Sequence, residues 1–163
     1  MNHSFSRLTL ERLGSIWVAV SNEKLVRLGL NENKAQFLKQ LPQDVKWQEV
    51  SAEKVRTVQK QIEAYLAGNH IALTNFELNQ GTAFQQSVWK IMHTIPHGET
   101  RSYAWIAQQL GKPKAFRAVA NACGANPLPI VIPCHRVIAS DGKLGGFSAG
   151  LEWKKKLLKM EKK

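Results

Sequence analysis

Residues 126–137 read Asn-Pro-Leu-Pro-Ile-Val-Ile-Pro-Cys-His-Arg-Val, and no other stretch constrains the chain as much. Residues 130–132 are a short apolar run that predicts a buried strand, which Pro133 ends. A thiol, an imidazole and a guanidinium follow in successive positions, Cys134, His135 and Arg136. A thiolate is the nucleophile of cysteine chemistry, and a neighbouring base or cation makes it available near neutral pH. A free cysteine is more commonly a small buried apolar residue. A core position does not call for His and Arg directly after it, so Cys134 is read as a reactive nucleophile and His135 as its candidate base.

The chain has 163 residues, enough to bury a core as one domain or as two small ones. Hydrophobic content of 44% and charged content of 21% place it among globular rather than disordered chains. No apolar run approaches a membrane span, and the N-terminus lacks the basic-then-apolar layout of a signal peptide. A cytoplasmic protein with no membrane partner is expected. Cys123 and Cys134 are too few for a disulfide framework, and both are expected to be thiols. They are too few for a zinc module as well. His93 and His97 have helical i, i+4 spacing, but Pro96 lies between them with no other ligand cluster near, so no metal is expected.

The net charge is +11, and it is unevenly spread. Residues 1–80 hold ten Lys/Arg against eight Asp/Glu, whereas residues 81–163 hold thirteen against four. That concentration points to a polyanion as partner, with nucleic acid the commonest such partner.

In chain order, the first thirty residues alternate as an antiparallel meander of about three strands, with Gly14-Ser15 and Asn22-Glu23-Lys24 as turns. A short helix is expected over 33–41, ended before Pro42, and a further strand within 45–50. Residues 52–67 predict a helix with Val55, Val58, Ile62, Tyr65 and Leu66 on one face, Ser51 as N-cap and Gly68 as its stop. The segment 79–81 is the expected boundary between a supporting lobe, 1–80, and a second lobe, 81–163. From Thr82 the pattern becomes helical: a capping box at Thr82–Gln85 opens a helix with Phe84, Val88, Ile91 and Ile95 on its apolar face. Ser102 caps a helix over 103–110, Gly111-Lys112-Pro113 breaks it, and another helix runs over 115–125. Two short helices joined by a Gly-containing turn outline a helix-turn-helix. A strand from Arg136, a turn at Asp141-Gly142 and a closing helix through Leu151, Trp153, Leu157, Leu158 and Met160 suggest a wing. The expected fold class is therefore α/β (α+β), an antiparallel sheet with helices followed by a winged-helix-like lobe that carries the reactive residues.

Pro133-Cys134-His135-Arg136, preceded by Asn126-Pro127 and followed by Gly145-Gly146-Phe147-Ser148, resembles the active-site signature of the O(6)-alkylguanine-DNA alkyltransferases, the methylated-DNA–protein-cysteine methyltransferases. The match runs without gaps over about 81–161, and the first half resembles the family only in length and general pattern. The resemblance implies direct transfer of a methyl or other alkyl group from guanine O(6), and from thymine O(4), in double-stranded DNA to Cys134. It implies no cofactor, since the leaving group is the restored base. The product is a thioether with no visible route to cleavage, so each molecule acts once.

The same match carries residue roles. It places Glu161 on the third catalytic position, behind His135, where spacing alone would read a solvated side chain. In an extended segment the Cys134 and His135 side chains point to opposite faces, so a bridging water or a turn is needed between them. Arg117 matches the family's intercalating arginine, although its position alone fits a phosphate contact nearly as well. Tyr103 matches the tyrosine that helps expel the nucleotide and donates to the guanine ring, and Asn126 the asparagine that braces the active-site turn. The carbonyls of Cys134 and Val137 would accept from the exocyclic amine, and the Ser148 amide would face the alkylated oxygen. Phe147 stands where some relatives have tyrosine, and Ala149 where others have glycine, which narrows the pocket. Docking in the minor groove with base flipping is implied, because the target atom is otherwise hidden in the stack.

On charge and position, Lys112, Lys114 and Arg136 are counted as DNA contacts with Arg117. Ala115, Ala118, Ala122 and Ala125 follow helical spacing and would let that helix approach DNA closely, though the same stripe also suits packing on a neighbouring helix. Cys123 is read as packing, and a monomer is expected. Two other classes stay open: a module that marks alkylated DNA without repairing it, against which Cys134 speaks, and a Cys-His hydrolase, which would turn over.

Overall fold

The computed structural model describes residues 2–69 and 75–162. The chain divides into two compact units, Met1–Leu78 and Asn79–Lys163. The first is built on a meander of β1 (His3–Leu10), β2 (Gly14–Ser21) and β3 (Lys24–Gly29), paired antiparallel in sequence order. Asn22 and Glu23 both take positive φ, 48° and 67°. A two-residue turn of that hand matches the twist of the strands it joins. Gly14 and Ser15, expected as a turn, instead open β2, and the turn lies one step earlier, at residues 11–13. After α1 (Lys34–Lys39), β4 (Gln48–Glu49) joins the free edge of β1, and it does so in parallel. The sheet order is β3-β2-β1-β4.

Helix α1 is capped by Asn33 in a reciprocal capping box with Gln36. It turns Phe37, fully buried, onto the sheet, where Trp17 stacks on it at 5.9 Å and Phe5 meets it at 6.5 Å. The expected helix over 52–67 forms as a 3-10 turn, Ala52–Val55, leading into α2 (Arg56–Leu66). Ser51 precedes it but makes no side-chain cap bond. Val58, Ile62, Tyr65 and Leu66 are buried as the periodicity requires, and Gln59 Nε2 donates to the Thr9 carbonyl at 3.0 Å.

The second unit comprises α3 (Ala83–His93), β5 (Arg101–Ser102), α4 (Tyr103–Gln109), α5 (Phe116–Gly124), β6 (Val137–Ile138) and α6 (Leu151–Glu161). The Thr82–Gln85 capping box is present, and Ser102 caps α4 by accepting from the Trp105 amide. The buried face of α3 is Val88, Trp89 and Met92, with Ile95 beyond its end, whereas Phe84 and Ile91 are only half-buried. The indole of Trp89 decides this, because its Nε1 donates to the Ala122 carbonyl at 2.8 Å and fastens α3 to α5. Helices α4 and α5 pack on one another across the turn at Gly111, the helix-turn-helix outline. The strand that follows pairs with β5 over two residues and in parallel, Arg101 with Val137 and Ser102 with Ile138. The expected wing is reduced to this short pair among the described residues. No helix among them is long and apolar enough to cross a membrane.

Because Phe37 fills the first unit's core, Phe37→Ala should destabilise that unit by about 3–5 kcal/mol. Urea unfolding followed by tryptophan fluorescence would register the loss through Trp17, which stacks on this ring. A loss under about 1 kcal/mol would show that the sheet does not depend on α1 for its core.

Candidate active site

The residues before Cys134 do not form the expected strand. Residues 127–132 are a sequence of tight turns, and Leu128, Ile130, Val131 and Ile132 are nevertheless fully buried. An apolar run of this length cannot tell a strand from a buried turn. Ile130 takes φ of +78°, a left-handed conformation that a β-branched side chain rarely adopts. Such strain costs about 1–3 kcal/mol and persists only where the surroundings over-determine it. Here they do. Asn126 donates through Nδ2 to the Ile132 carbonyl at 2.7 Å and accepts at Oδ1 from the Leu128 amide at 3.0 Å. The Ile132 amide closes the turn on the Leu128 carbonyl at 2.8 Å.

The turn delivers Cys134 into a 3-10 helix, Cys134–Arg136, rather than an extended strand. At three residues per turn, successive side chains leave the axis about 120° apart, so Cys134, His135 and Arg136 diverge into different surroundings. All are buried. Burial pushes the Cys134 thiol up to about 11, against the Asn126 side chain, the Lys154 charge and the backbone N–H groups of Cys134 and His135, which favour the thiolate. The group at rest is a thiol that needs a proton acceptor.

His135 Nε2 lies 2.7 Å from Glu161 Oε1. Burial alone would raise Glu161, but bonds from His135 and Arg136 hold it at about 2. An ionised carboxylate only accepts, so His135 Nε2 must carry the proton. That leaves Nδ1 as the lone-pair nitrogen, buried and without a hydrogen-bond partner among the described residues. Burial also lowers the imidazole's own pKa, opposed by Glu161, so His135 is neutral at pH 7 and able to take a proton. A neutral, tautomer-fixed imidazole thus stands in the residue next to the thiol.

Arg136 does not reach out to DNA as expected. It is 1% exposed, with Nη2 donating to Glu161 Oε1 at 2.8 Å, Nε to Oε2 at 3.0 Å, and Nη1 to the Ile95 carbonyl at 2.7 Å. Its place is inside, as the cation that keeps Glu161 ionised. The Gly98 amide also donates to Glu161 Oε2, at 3.3 Å. Gly98 itself has φ of +79° and comes so close that a Cβ would lie 3.2 Å from the Glu161 carbonyl oxygen. Glu161 reaches the site because α6 presents Lys154, Leu157 and Glu161 on one buried face. Its expected apolar residues Leu151, Trp153, Leu158 and Met160 are exposed or half-buried instead.

Lys154 is the functional residue that sequence reasoning missed. In a run of three lysines it reads as solvated, yet it is fully buried, and its spacing from Leu157 and Glu161 was the available signal. Nζ donates to the carbonyls of Val137 at 2.6 Å, Gly146 at 3.1 Å, and Leu144. It thereby ties the strand after Cys134 to the loop before Ser148. One lone pair of the Val137 carbonyl remains for another donor. In that loop Phe147 is half-buried, Ser148 exposed and Ala149 buried. Gly145, at φ of +70°, lets the loop touch Tyr103, whose hydroxyl would sit 2.7 Å from any Cβ there. Burial raises the Tyr103 phenol, with Cys123 and Cys134 adding to it and the Gly146 amide opposing, so Tyr103 is a protonated donor. Cys123 faces Met92, Sγ to Sδ 3.5 Å, and is pushed by burial up to about 12, the environment of an inert packing thiol.

The expected DNA face is split by the structure. Lys112, Lys114, Arg117 and Ala118 are exposed at the turn and the first residues of α5, while Ala122 is 2% exposed and packs inward with Val119 and Cys123. Ala122 shares the inward face of α5 with Val119 and Cys123, and its carbonyl accepts from Trp89 on that side. Phe116, Arg117, Ala118, Asn121 and Gly124 make the exposed face of this helix, with Ala125 exposed just past its end.

The family model described as the DNA-binding domain of 6-O-methylguanine DNA methyltransferase matches residues 83–163, and that of its ribonuclease-like domain matches residues 8–80. A methylated-DNA–protein-cysteine methyltransferase from Methanosarcina barkeri is 44% identical over 152 residues, 91% of this chain and 91% of that one. The protein of the same name from Mycobacterium tuberculosis is 52% identical over 105 residues, 63% of this chain and 62% of that one. Among solved structures, the Mycobacterium tuberculosis OGT in complex with DNA superposes with a TM-score of 0.77 at 37% identity, covering 98% of this chain and 92% of that one. The O6-methylguanine-DNA methyltransferase of Pyrococcus kodakaraensis does so with 0.68 at 25% identity, covering 98% of each.

Glu161 is held below its unfolded value of about 4.3, at about 2. The stability it contributes is therefore whole above roughly pH 4.5 and lost as the pH falls through about 2. Glu161→Gln, which leaves Arg136 buried without its counter-charge, should cost about 3–5 kcal/mol at pH 7. Urea unfolding at pH 7 and at pH 2.5 should show this difference shrinking in acid. An equal difference at both would mean that the carboxylate is not held ionised.

Proposed function

The chain belongs to the 6-O-methylguanine DNA methyltransferase family, and we propose that Cys134 is the residue onto which it draws the alkyl group. The activity is DNA repair by direct transfer from the O(6) of guanine, and the same displacement suits the O(4) of thymine. What carries the assignment to Cys134 is the relay behind it, an ionised Glu161 fixing a neutral His135 beside a buried thiol. In the reaction the thiol proton passes to His135 Nδ1 by way of a bridging water, and Sγ attacks the alkyl carbon. As the carbon–sulfur bond forms, the carbon–oxygen bond breaks, and its electron pair returns to the base, which takes up a proton from a donor such as Tyr103. The thiolate develops beside Lys154 and the Asn126 amide, whose favourable interaction grows as charge appears.

The helix-turn-helix supplies the DNA face, docked in the minor groove of a duplex as a monomer. The alkylated nucleotide is turned out of the stack toward Cys134, and Arg117, exposed on the first turn of α5, enters the vacated space. The reading places the protein in the cytoplasm, where a reducing environment keeps Cys134 and Cys123 as thiols.

A thioether sulfur is a poor leaving group, and among the described residues the other thiol, Cys123, is held as a packing thiol. Titration with alkylated duplex should therefore stop at one alkyl group per molecule, found on Cys134 by peptide mass analysis. Cys134→Ser should abolish transfer while keeping DNA affinity within about two-fold, because groove contacts come from the helices. Repaired base accumulating beyond the amount of protein would make the protein a true catalyst and sink the one-shot reading.

Flipping and chemistry separate at Arg117. Arg117→Ala should slow repair of duplex DNA by about ten-fold or more while slowing reaction with the free alkylated base far less, since only the duplex has a gap to fill. Equal losses on the two substrates would remove Arg117 from the stack.

A further inference from the structure

Phe116 opens α5 and is 45% exposed, one of only two large apolar side chains in that condition among the described residues. The helix packs without it, through Val119, Ala122 and Cys123. An aromatic ring left in water forgoes the burial that makes such residues dominate cores and interfaces. Its surroundings say what covers it. The Arg117 guanidinium lies 5.9 Å over the ring, and immediately before it Lys112, Pro113, Lys114 and Ala115 line an open hollow. No acidic residue occurs anywhere between Glu99 and Asp141. Beyond Arg117, the exposed face of the helix carries only Ala118, Asn121, Gly124 and Ala125, small enough for a backbone to come close. A ring at the rim of a small-residue face, covered on one side by the Arg117 cation and set in a segment with no carboxylate, complements a polyanion that also offers apolar edges. A nucleic-acid duplex is such a partner, and an acidic protein surface would not need the ring.

We propose that Phe116 is a second DNA-contacting side chain, packing its ring against the sugar and base edge beside the extruded nucleotide while Arg117 fills the vacated stack. The inference rests on the proposed function and assigns one more specificity-bearing residue to it. Adjacent residues on a helix point about 100° apart, so ring and guanidinium flank one another rather than enter the same gap. Minor-groove proteins use apolar wedges in this way to hold a disturbed base step. The contact is apolar, so it adds affinity that releases no counterions.

The test compares Cys134→Ser protein, which binds without reacting, with the same protein carrying Phe116→Ala or Phe116→Leu. Affinity for a duplex containing O(6)-methylguanine is measured across a salt series. Phe116→Ala should bind about ten-fold more weakly at every salt, equal to about 1.4 kcal/mol, with the salt slope unchanged. Phe116→Leu should recover part of the loss, restoring apolar area without a stacking face. Lys114→Ala should instead flatten the slope. Unchanged affinity in Phe116→Ala, or a loss confined to low salt, overturns the inference. So does a slower repair rate when Phe116→Ala is placed in the protein that keeps Cys134, at unchanged affinity in the Cys134→Ser pair, which would make Phe116 only a support for Arg117. Wild-type protein that leaves no alkyl group on Cys134 overturns the proposed function itself, whatever Phe116 does.

Discussion

Glu161 keeps its charge where burial alone would neutralise it, because Arg136 and His135 both donate to it inside the second unit. That interaction sets everything around it. An ionised carboxylate fixes the tautomer of His135, the tautomer leaves Nδ1 as the base, and the base makes a thiol with a raised pKa usable. The same carboxylate receives the Gly98 amide, and Arg136 holds the Ile95 carbonyl. The end of α3, the turn after it and the end of α6 are thereby pinned around the 3-10 helix of Cys134. A buried ion pair is weak evidence for stability, since desolvation offsets much of its attraction. Its value here is orientation, with the charge present before the reaction begins.

A second constraint is the backbone before Cys134. Ile130 sits in a left-handed conformation that costs energy, and Asn126, with hydrogen bonds at both ends of its amide, holds the turn in it. Lys154 does the corresponding work on the other side, gathering the carbonyls of Val137, Leu144 and Gly146 onto one ammonium. Cys134 thus stands between two braced segments whose braces also favour its thiolate form. Positioning and electrostatics come from the same side chains, which is economical in a unit of this size.

Much of the fold was legible before any coordinates. The three-stranded meander, the short helix before Pro42, the capping box at Thr82 and the helix break at Gly111 follow from local rules. These rules act over a few residues, so a sequence window contains all the information they need. Cys134-His135-Arg136 announced chemistry for the same reason, three reactive groups in one window. The resemblance then brought in Glu161, Asn126, Tyr103 and Arg117, none of which spacing could have chosen.

Other features were decided only by tertiary structure. Residues 130–132 are apolar enough for a strand or a buried turn, and only the partners of Asn126 select the turn. Arg136 and Lys154 carry charges that a linear reading assigns to the surface, and both are buried because carboxylate or carbonyl oxygens distant in sequence converge on them. Ala122 had the spacing of an exposed stripe, but α5 packs it inward with Val119 and Cys123, where its carbonyl meets Trp89 of α3. Sequence by itself determined which segments fold locally and which residues could carry chemistry, because backbone propensity and chemical identity are properties of the residue. Which charges are buried, and which helix face meets the partner, depended on groups brought together from far along the chain, and long-range hydrogen bonds and packing alone could settle that.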